Sequence, residues 1–197
     1  MIASAAEASA PPTHRVLVLF AHPALEKSRV NRVLIDGVDA IDGVTFRDLY
    51  EEYPEFDVDV PKEQTLMTEH DVVVMHHPFY WYSMPPLLKQ WIDLVLEHGW
   101  ASGHEGTALH GKKLMGAITA GGRRAAYQAG GYNHYTVEEL LRPVEQTSRL
   151  CGMDYLPPFV VYGTHGMEPA EFGQHAKRYQ NVLRALTHGE FDRTAES

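Results

Sequence analysis

Three short segments of this chain carry residue types that together could hold a flat ligand with a phosphate tail. Residues 28–31 offer a hydroxyl, a guanidinium and an amide where a helix is predicted to begin, and free N–H groups at a helix start attract anions. Residues 79–82 are consecutive aromatic side chains, a suitable surface for stacking a planar ring. Residues 119–122 end in two glycines, which let backbone N–H groups approach a polar ring edge closely. Together the segments indicate flavin mononucleotide (FMN) as the ligand.

Each segment also has a simpler explanation when it is considered alone. Ser28 is a residue type that commonly caps a helix N-terminus. An aromatic loop can fold back onto its own core, and two glycines after a strand are a weak signal. The sequence contains no GxGxxG, so the usual dinucleotide-binding fingerprint is absent. The flavin hypothesis therefore depends on the three segments meeting in space.

An alternation of strand-like and helix-like patterns predicts how the segments are positioned. The run VLVLF at residues 16–20 is typical of a strand buried on both faces of a parallel sheet. The order of elements predicts an α/β protein with a flavodoxin-like, doubly wound, five-stranded parallel sheet of order 2-1-3-4-5 and helices on both faces. The loops after strands one, three and four then meet at the carboxyl edge of the sheet, which brings the three segments together.

The bounds of the elements follow from apolar periodicity, prolines, glycines and capping residues. The first helix is predicted to begin after Ser28 and to present an apolar face as far as Ile41. Another helix begins at Pro85 and Pro86, and Thr136 caps a further one. Strands are predicted at residues 16–20, 44–48 (or 44–50), 71–77, 114–119 and 159–162, further helices at 62–70, 136–142, 143–151 and 169–188, and a loop at 51–61.

Composition limits the classes of function. The 197 residues, 44% of them hydrophobic, suit one domain, which we assign to residues 14–190 between tails at 1–13 and 191–197. A net charge of -9 argues against a nucleic-acid partner. The single cysteine, Cys151, fits a reducing compartment. Because neither a signal peptide nor a membrane-spanning segment is recognisable, the sequence predicts a cytoplasmic protein.

Histidines and paired arginines are the other groups that could bind a ligand. His98, His104 and His110 recur at intervals of six residues, whereas zinc ligands usually include a closer pair. No metal site is therefore predicted. The histidines at 76–77 close the central strand and are expected to have a hydrogen-bonded structural role. The arginines at 123–124 either receive a phosphate of a nicotinamide nucleotide or are simply solvated.

Five motifs carry a resemblance to a known family. They are AHP at residues 21–23, SxxN at 28–31, HPFYWYSMPPLLKQWID at 77–93, HGWA at 98–101, and TALHGKK preceding TAGG. With them the chain resembles the flavodoxin-like NAD(P)H:quinone oxidoreductases, and in particular the ancillary subunit of the glutathione-regulated potassium efflux system. By position, the family's flavin contacts fall on His22, Ser28, Arg29, Val30, Asn31, Phe79, Tyr80, Trp81, Tyr82, Thr119, Ala120, Gly121 and Gly122.

The resemblance implies a reaction, a cofactor and a catalytic pair. It implies two-electron hydride transfer from NAD(P)H to a quinone by a ping-pong route through bound FMN, with FAD as the alternative, in a homodimer with sites near the subunit interface. Members with FAD place a tyrosine and a histidine near the flavin. Tyr127 matches the tyrosine, Asn133 stands at the histidine position, and His134 follows it. We assign Tyr127 and His134 as candidate catalytic residues. Ala120 replaces a threonine usual in the family, which removes one hydroxyl.

Two other functions compete with the enzyme. The resemblance also implies an ancillary regulatory subunit of a potassium efflux transporter, which would bring the protein to the inner face of the cell membrane through its partner. A flavodoxin-type electron carrier is the third hypothesis. The long aromatic segment and the glycine-rich loop favour an open substrate pocket and therefore the enzyme.

Overall fold

The structure, a computed structural model, describes residues 11–192. Within that range, one sheet is formed by β1 (Val16–Phe20), β2 (Val44–Asp48), β3 (Val72–Pro78), β4 (Lys113–Thr119), β5 (Asp154–Tyr155) and β6 (Phe159–Val161). The helices are α1 (Arg29–Leu34), α2 (Leu49–Glu52), α3 (Val60–Glu69), α4 (Pro86–Val95), α5 (Val137–Leu140), α6 (Arg142–Leu150) and α7 (Pro169–Thr187). Two short 3₁₀ helices lie at Leu25–Lys27 and Arg124–Ala126.

The sheet confirms the predicted fold class and strand order. Its strands are parallel and run in the order β2-β1-β3-β4-β5, while β6 also pairs with β4. Alternate residues of β1 point to two different hydrophobic clusters, one on each face, and the helices cover both. The five-strand prediction missed β5, because a two-residue strand is too short to show a period of two. The predicted fifth strand is β6.

The first helix is shorter than predicted. It ends at Leu34 with Ile35 as its cap, instead of reaching Ile41. Two turns replace the rest, in which the N–H of Val38 bonds to the carbonyl of Ile35 and the N–H of Ile41 to that of Val38. Both side chains remain buried, because turns repeated every three residues keep them on the core side. The apolar pattern was therefore correct about burial and wrong about the helix.

The region after β2 also differs from the prediction. Residues 49–52 form the short helix α2, capped by the carboxylate of Asp48, which accepts from the N–H of Tyr50. They neither extend the strand nor begin a loop. Helix α3 likewise starts two residues earlier than predicted, capped by Asp59. Asp is a common N-cap because its carboxylate accepts from N–H groups that have no partner in the helix. The prediction did not use Asp48 and Asp59 as caps and therefore missed α2 and the first two residues of α3.

Helix α4 is amphipathic, as predicted. Leu87, Leu88, Trp91 and Val95 are buried on its inner face, and Pro86 occupies the first turn, where its missing N–H costs nothing. This helix begins eight residues after β3 ends, so the aromatic segment 79–82 is held between two buried elements.

The chain ends of the fold are close together. The N–H groups of Thr13 and His14 both donate to the carbonyl of Thr187, at 2.9 and 3.0 Å. Phe191 packs edge-on against the His14 ring, with centroids 5.3 Å apart. Of the predicted tails, residues 1–10 and 193–197 lie outside the described residues. No helix within residues 11–192 is long and apolar enough to cross a membrane.

Candidate functional site

A cavity of about 1030 Å³ lies at the carboxyl edge of the sheet. Its walls come from the segments that follow β1, β3, β4 and β6. Parallel strands present their carboxyl ends at one edge, so loops distant in sequence meet there. The predicted site residues on the wall are His22, Ser28, Arg29, Val30, Asn31, Phe79, Tyr80, Trp81, Tyr82, Thr119, Gly121, Gly122 and Tyr127.

A buried hydrogen-bond network supports the 28–31 segment from below. The Ser28 hydroxyl oxygen caps α1 by accepting from the N–H of Asn31 at 3.2 Å, and it also accepts from the Asn31 side-chain amide at 3.1 Å. The Asn31 amide nitrogen lies 3.0 Å from the Thr119 hydroxyl, and the His76 Nε2 lies 3.1 Å from the Asn31 oxygen. Residues of β3, β4 and the N-cap of α1 thus fix one amide, and the proton of the Ser28 hydroxyl is directed to no described acceptor.

His76 and His77 stay neutral beneath this network. Both are fully buried at the end of β3. Burial lowers the pKa of His76 to about 3, helped by the neighbouring imidazoles, and lowers the pKa of His77 to about 4. The Asn31 oxygen accepts from His76, which requires the proton on Nε2. The structural role expected from the sequence is the one observed.

Acidification is expected to destabilise the fold through these two imidazoles. In the unfolded chain they bind protons below pH 6.5, whereas in the native state they do so only near pH 4 and pH 3. Stability is therefore unaffected above pH 6.5 and falls by about 1.4 kcal/mol per pH unit for each histidine as the pH decreases below it. Urea unfolding between pH 7.5 and 5 measures the slope. His77→Gln should reduce the slope by up to about 1.4 kcal/mol per pH unit, the contribution of one histidine.

His104→Gln is the matched control for that prediction. His104 is exposed in the loop after α4, so its replacement should leave the slope unchanged. Equal slopes in the wild type and His77→Gln would contradict the assignment of a buried neutral imidazole at this position.

The aromatic segment forms a tight turn at the mouth of the cavity. Trp81 and Tyr82 both have positive φ, 51° and 62°, and Tyr80 bridges to Ser83 across the turn. Such φ values are costly for aromatic residues. Trp81 is 92% exposed, while Phe79 packs on Tyr127 with ring centroids 6.1 Å apart. Phe79 thus folds back on the core, but the turn presents the other rings to the cavity and to solvent.

The two glycines after β4 allow side chains to pack directly on the backbone. A Cβ on Gly121 would lie 2.4 Å from the His165 ring, and one on Gly122 would lie 3.1 Å from the Tyr127 ring. The first contact is shorter than carbon atoms tolerate, and the second would require the Tyr127 ring to move by a few tenths of an ångström. The absence of side chains at 121–122 therefore brings an imidazole and a phenol close to one strip of backbone on the cavity wall.

Two predicted residues are not on the wall. Ala120 is fully buried, and its N–H donates to the carbonyl of Val161 at 2.8 Å, so the sheet already uses that donor. His134 is exposed with a positive φ of 64°. Its neighbour Asn133 lines the cavity instead and accepts from the Tyr82 hydroxyl at 3.2 Å. The candidate proton-transfer histidine of the sequence is therefore not among the residues that line the cavity.

The guanidinium of Arg29 is also differently engaged from the prediction. It donates to the carbonyl of Met167 at 2.9 Å and lies over the Phe172 ring at 5.5 Å. Arg29 thus lies on the wall while its guanidinium binds the loop before α7 and the Phe172 ring. The nearby charge missed in the sequence is Lys27, which lines the cavity.

Sequence reasoning also missed the segment after β6. Thr164 and His165 line the cavity, although only the loops after strands one, three and four were expected there. In the predicted strand order the fifth strand adjoins the fourth, and this signal could have identified its loop. The wall as described carries cationic residues and no aspartate or glutamate, in a chain whose net charge is -9.

Burial favours the neutral forms of two titratable side chains on the wall. Burial, opposed by the charge of Glu26, lowers the pKa of His22. Burial, together with Tyr82, raises the pKa of Tyr127, so this phenol keeps its proton at neutral pH. The wall thus offers hydroxyl, amide and backbone donors around an aromatic turn. Within the described part of the chain, no group of three or more His, Cys, Asp or Glu residues could hold a metal ion.

Known proteins share this fold over most of its length. General stress protein 14 of Bacillus subtilis is 51% identical over 170 residues, covering 86% of this chain and 97% of its own. An ancillary protein of the glutathione-regulated potassium efflux system, KefG of Serratia proteamaculans, is 46% identical over 182 residues, covering 92% and 98%. Both alignments span nearly the whole length of the relative.

Two solved structures are also similar. General stress protein 14 of Treponema denticola, crystallised in complex with FMN, has 40% identity and a TM-score of 0.83, with coverage of 87% of this chain and 99% of that one. An NADPH-quinone reductase from P. pentosaceus has 33% identity and a TM-score of 0.77, with coverage of 85% and 96%. The Flavodoxin_2 family model, described as a flavodoxin-like fold, matches residues 14–183. The resemblance predicted from the motifs is therefore confirmed, and the chain belongs to the Flavodoxin_2 family of flavodoxin-like proteins.

Proposed function

We propose that this protein is an FMN-dependent NAD(P)H:quinone oxidoreductase. The observation that carries the proposal is the convergence of residues 28–31, the aromatic turn 79–82 and the glycines at 121–122 on one carboxylate-free cavity. Support comes from the FMN in the similar Treponema denticola protein and from the reductase named in the P. pentosaceus structure.

The donor groups of the cavity fit FMN. The Ser28 hydroxyl keeps a proton to donate, because the oxygen already accepts two bonds from Asn31. First-turn N–H groups have no carbonyl four residues earlier in the helix, and Lys27 adds a positive charge beside them. The ring system would stack at the aromatic turn, with its polar edge on the backbone at 121–122. FMN is preferred to FAD because the Treponema denticola protein was crystallised with FMN.

Bound FMN would supply the redox chemistry, by which a hydride from the nicotinamide donor is passed on as two electrons to the acceptor. Overall, NAD(P)H and one solvent proton convert a quinone to a hydroquinone, which balances electrons and protons. The protein's part is to orient the reactants, exclude water and supply a proton. One open cavity serves both reactants, so we propose that they bind in turn, by a ping-pong route.

Tyr127 is the candidate proton donor or positioning group in this reaction. Its ring packs between Phe79 and Tyr162, with centroids at 6.1 and 5.8 Å, and its pKa is raised by burial. General acids of this kind typically contribute about 10²–10⁴-fold to a rate. Tyr127→Phe should keep FMN affinity and lower kcat at least tenfold. His134→Gln, on the exposed side of the same loop, should change kcat less than twofold; equal losses in both variants would count against Tyr127.

The test of the proposal is chromophore binding followed by turnover. The purified chain is incubated with FMN, desalted and examined by absorbance and mass spectrometry. A retained yellow chromophore that bleaches with NAD(P)H and recovers on addition of a quinone supports the oxidoreductase. A colourless protein with no bound flavin rejects it. Parallel lines in double-reciprocal plots would indicate the ping-pong route.

A second candidate function is that of a regulatory subunit of a potassium efflux transporter. The observation in its favour is the 46% identity to a KefG ancillary protein over 98% of that relative. In this function the chain would act from the cytoplasm at the inner face of the membrane. Co-purification with a transporter and altered potassium efflux after deletion of the chain would support it, and the two functions are compatible in one protein.

The proposal includes a homodimer, with sites near the subunit interface. Two large exposed aromatic side chains line the cavity, Trp81 at 92% and Tyr132 at 87% exposure, and Tyr135 near them in sequence is 58% exposed. Exposed apolar side chains beside a site often mark an interface. Sedimentation velocity of the protein at micromolar concentration decides between monomer and dimer.

A further inference from the structure

Three arginines beside β6 have no ionic partner. Arg123, Arg124 and Arg178 form no ion pair with any described carboxylate, although acidic residues outnumber basic ones in the chain by 26 to 17. We name these three residues the arginine rim. Arg124 lies over the Tyr162 ring at 5.1 Å, and Arg178 over the Phe159 ring at 4.9 Å. Aromatic faces thus hold two of the guanidinium groups in fixed positions.

The rim collects positive charge at an energetic cost. The charge of Arg124 helps burial to lower the pKa of Arg178, so the two groups repel each other. The Arg178 Nε is buried without a partner, while its Nη2 donates to the Val160 carbonyl at 3.2 Å. Two glutamates lie near the rim. Burial and the charge of Glu138 raise the pKa of Tyr162. Burial and Arg178 lower the pKa of His175, and the charge of Glu171 opposes this. Neither glutamate forms an ion pair with the rim. An anion between the arginines would relieve this repulsion.

The Arg124 end of the rim adjoins the cavity wall. Arg124 begins the 3₁₀ helix Arg124–Ala126, and the cavity wall includes Ala126 and Tyr127. The Tyr162 ring beneath Arg124 lies 5.8 Å from the Tyr127 ring. A ligand that occupied the cavity at Tyr127 could therefore extend along Tyr162 to the rim.

The cavity holds a separate place for the phosphate of FMN. Under the proposed function that phosphate binds at 28–31, after β1, whereas the rim lies beside β6, on the far side of β3 and β4 in the sheet order. The remaining reactant with phosphate groups is the nicotinamide nucleotide. Guanidinium groups bind phosphate in two-point hydrogen bonds.

We propose that the arginine rim is the subsite for the phosphate groups of the nicotinamide donor. This inference rests on the proposed function, because it assumes that a nicotinamide nucleotide enters the cavity. The 2′-phosphate of NADPH and the pyrophosphate common to NADPH and NADH share the chemistry that the rim recognises. Comparing the two donors distinguishes them.

The experiment measures KM for NADPH and for NADH in the FMN-loaded protein, with Arg124→Gln and the double variant R123Q/R124Q. Loss of a charge-assisted bond to phosphate should raise KM about tenfold. Arg124→Lys keeps the charge but not the two-point geometry, so its KM should lie between that of the wild type and that of Arg124→Gln. Arg149→Gln is the matched control, since Arg149 is exposed on α6 and paired with Glu145 at 2.7 Å.

A rise in KM for NADPH alone assigns the rim to the 2′-phosphate, and an equal rise for both donors assigns it to the pyrophosphate; either result supports the proposal. A change no larger than that of Arg149→Gln overturns it. Calorimetric titration with NADP⁺ provides a readout that does not depend on turnover. If the protein binds FMN and reduces quinones but its NADP⁺ affinity is the same in wild type and R123Q/R124Q, the proposed function stands and the assignment of the rim as a phosphate subsite is wrong.

Discussion

Replacing Asn31 by alanine is expected to release the flavin and to lower the free energy of unfolding by about 2–3 kcal/mol. Asn31 is only 3% exposed, and its side chain joins Ser28, Thr119 and His76. Without it, the His76 N–H is buried with no acceptor, and the Ser28 hydroxyl loses the amide that orients it. Because the same side chain supports both the core and the proposed phosphate site, stability and FMN affinity should fall together.

Urea unfolding of the flavin-free protein and fluorescence titration with FMN measure the two effects. The dissociation constant for FMN should rise at least tenfold, which corresponds to about 1.4 kcal/mol. Asn181→Ala is the control, because Asn181 is exposed on α7 and accepts only a long 3.4 Å bond from Arg184. It should change stability by less than about 0.5 kcal/mol. Unaltered FMN affinity in a folded Asn31→Ala protein would contradict the proposal that the Asn31 network supports the FMN site.

Replacing Glu63 by alanine is expected to cause the largest loss of stability, about 3–5 kcal/mol. Glu63 is fully buried on α3 and accepts three bonds: from Arg47 at 2.7 Å, from the Tyr53 hydroxyl at 2.7 Å and from the Trp91 indole at 2.9 Å. Its loss leaves the Arg47 guanidinium, a buried charge, with only the partly exposed Glu52 as an ionic partner. The same carboxylate also contributes, after burial, to raising the pKa of Tyr53.

Thermal and urea unfolding measure this loss. In a domain of this size the expected decrease in Tm is on the order of 10 °C. Glu69→Ala is the matched control on the same helix, since the Glu69 side chain is half exposed and lies 3.7 Å from Arg15; an exposed pair contributes less than about 1 kcal/mol. Glu63→Gln retains an acceptor oxygen without the charge, so its loss of stability should lie between those of Glu63→Ala and Glu69→Ala. Equal effects of Glu63→Ala and Glu69→Ala would show that the buried network adds little.

The network around Glu63 also bears on the site, because it fixes α4. Trp91 lies on that helix, and the aromatic turn connects the helix to β3. Arg47 lies on β2, Tyr53 caps the end of α2, and Trp91 lies on α4, so three elements contribute a side chain to one carboxylate. A chain weakened at Glu63 is therefore expected to hold the turn at 80–83 less rigidly, with a smaller effect on FMN than the loss of Asn31.

The fold class and the edge of the sheet that carries the candidate site could both be predicted from the residues alone. Continuous apolar runs in β1 and β3 required a sheet buried on both faces, and the helical spacing in α4 required a covering layer. Parallel strands present their carboxyl ends at one edge, so the segments 28–31, 79–82 and 119–122 had to approach one another. These conclusions follow from periodicity and chain order, which are local properties.

Which individual groups line the cavity could be read only from the folded chain. Only the folded chain shows that the Ala120 N–H is bonded to β6, that the Arg29 guanidinium turns to Met167, and that Asn133 rather than His134 lines the cavity. It also shows His165 on the wall and the arginine rim without carboxylate partners. Which atoms remain free depends on partners contributed by distant strands, and no pattern within a single segment carries that information.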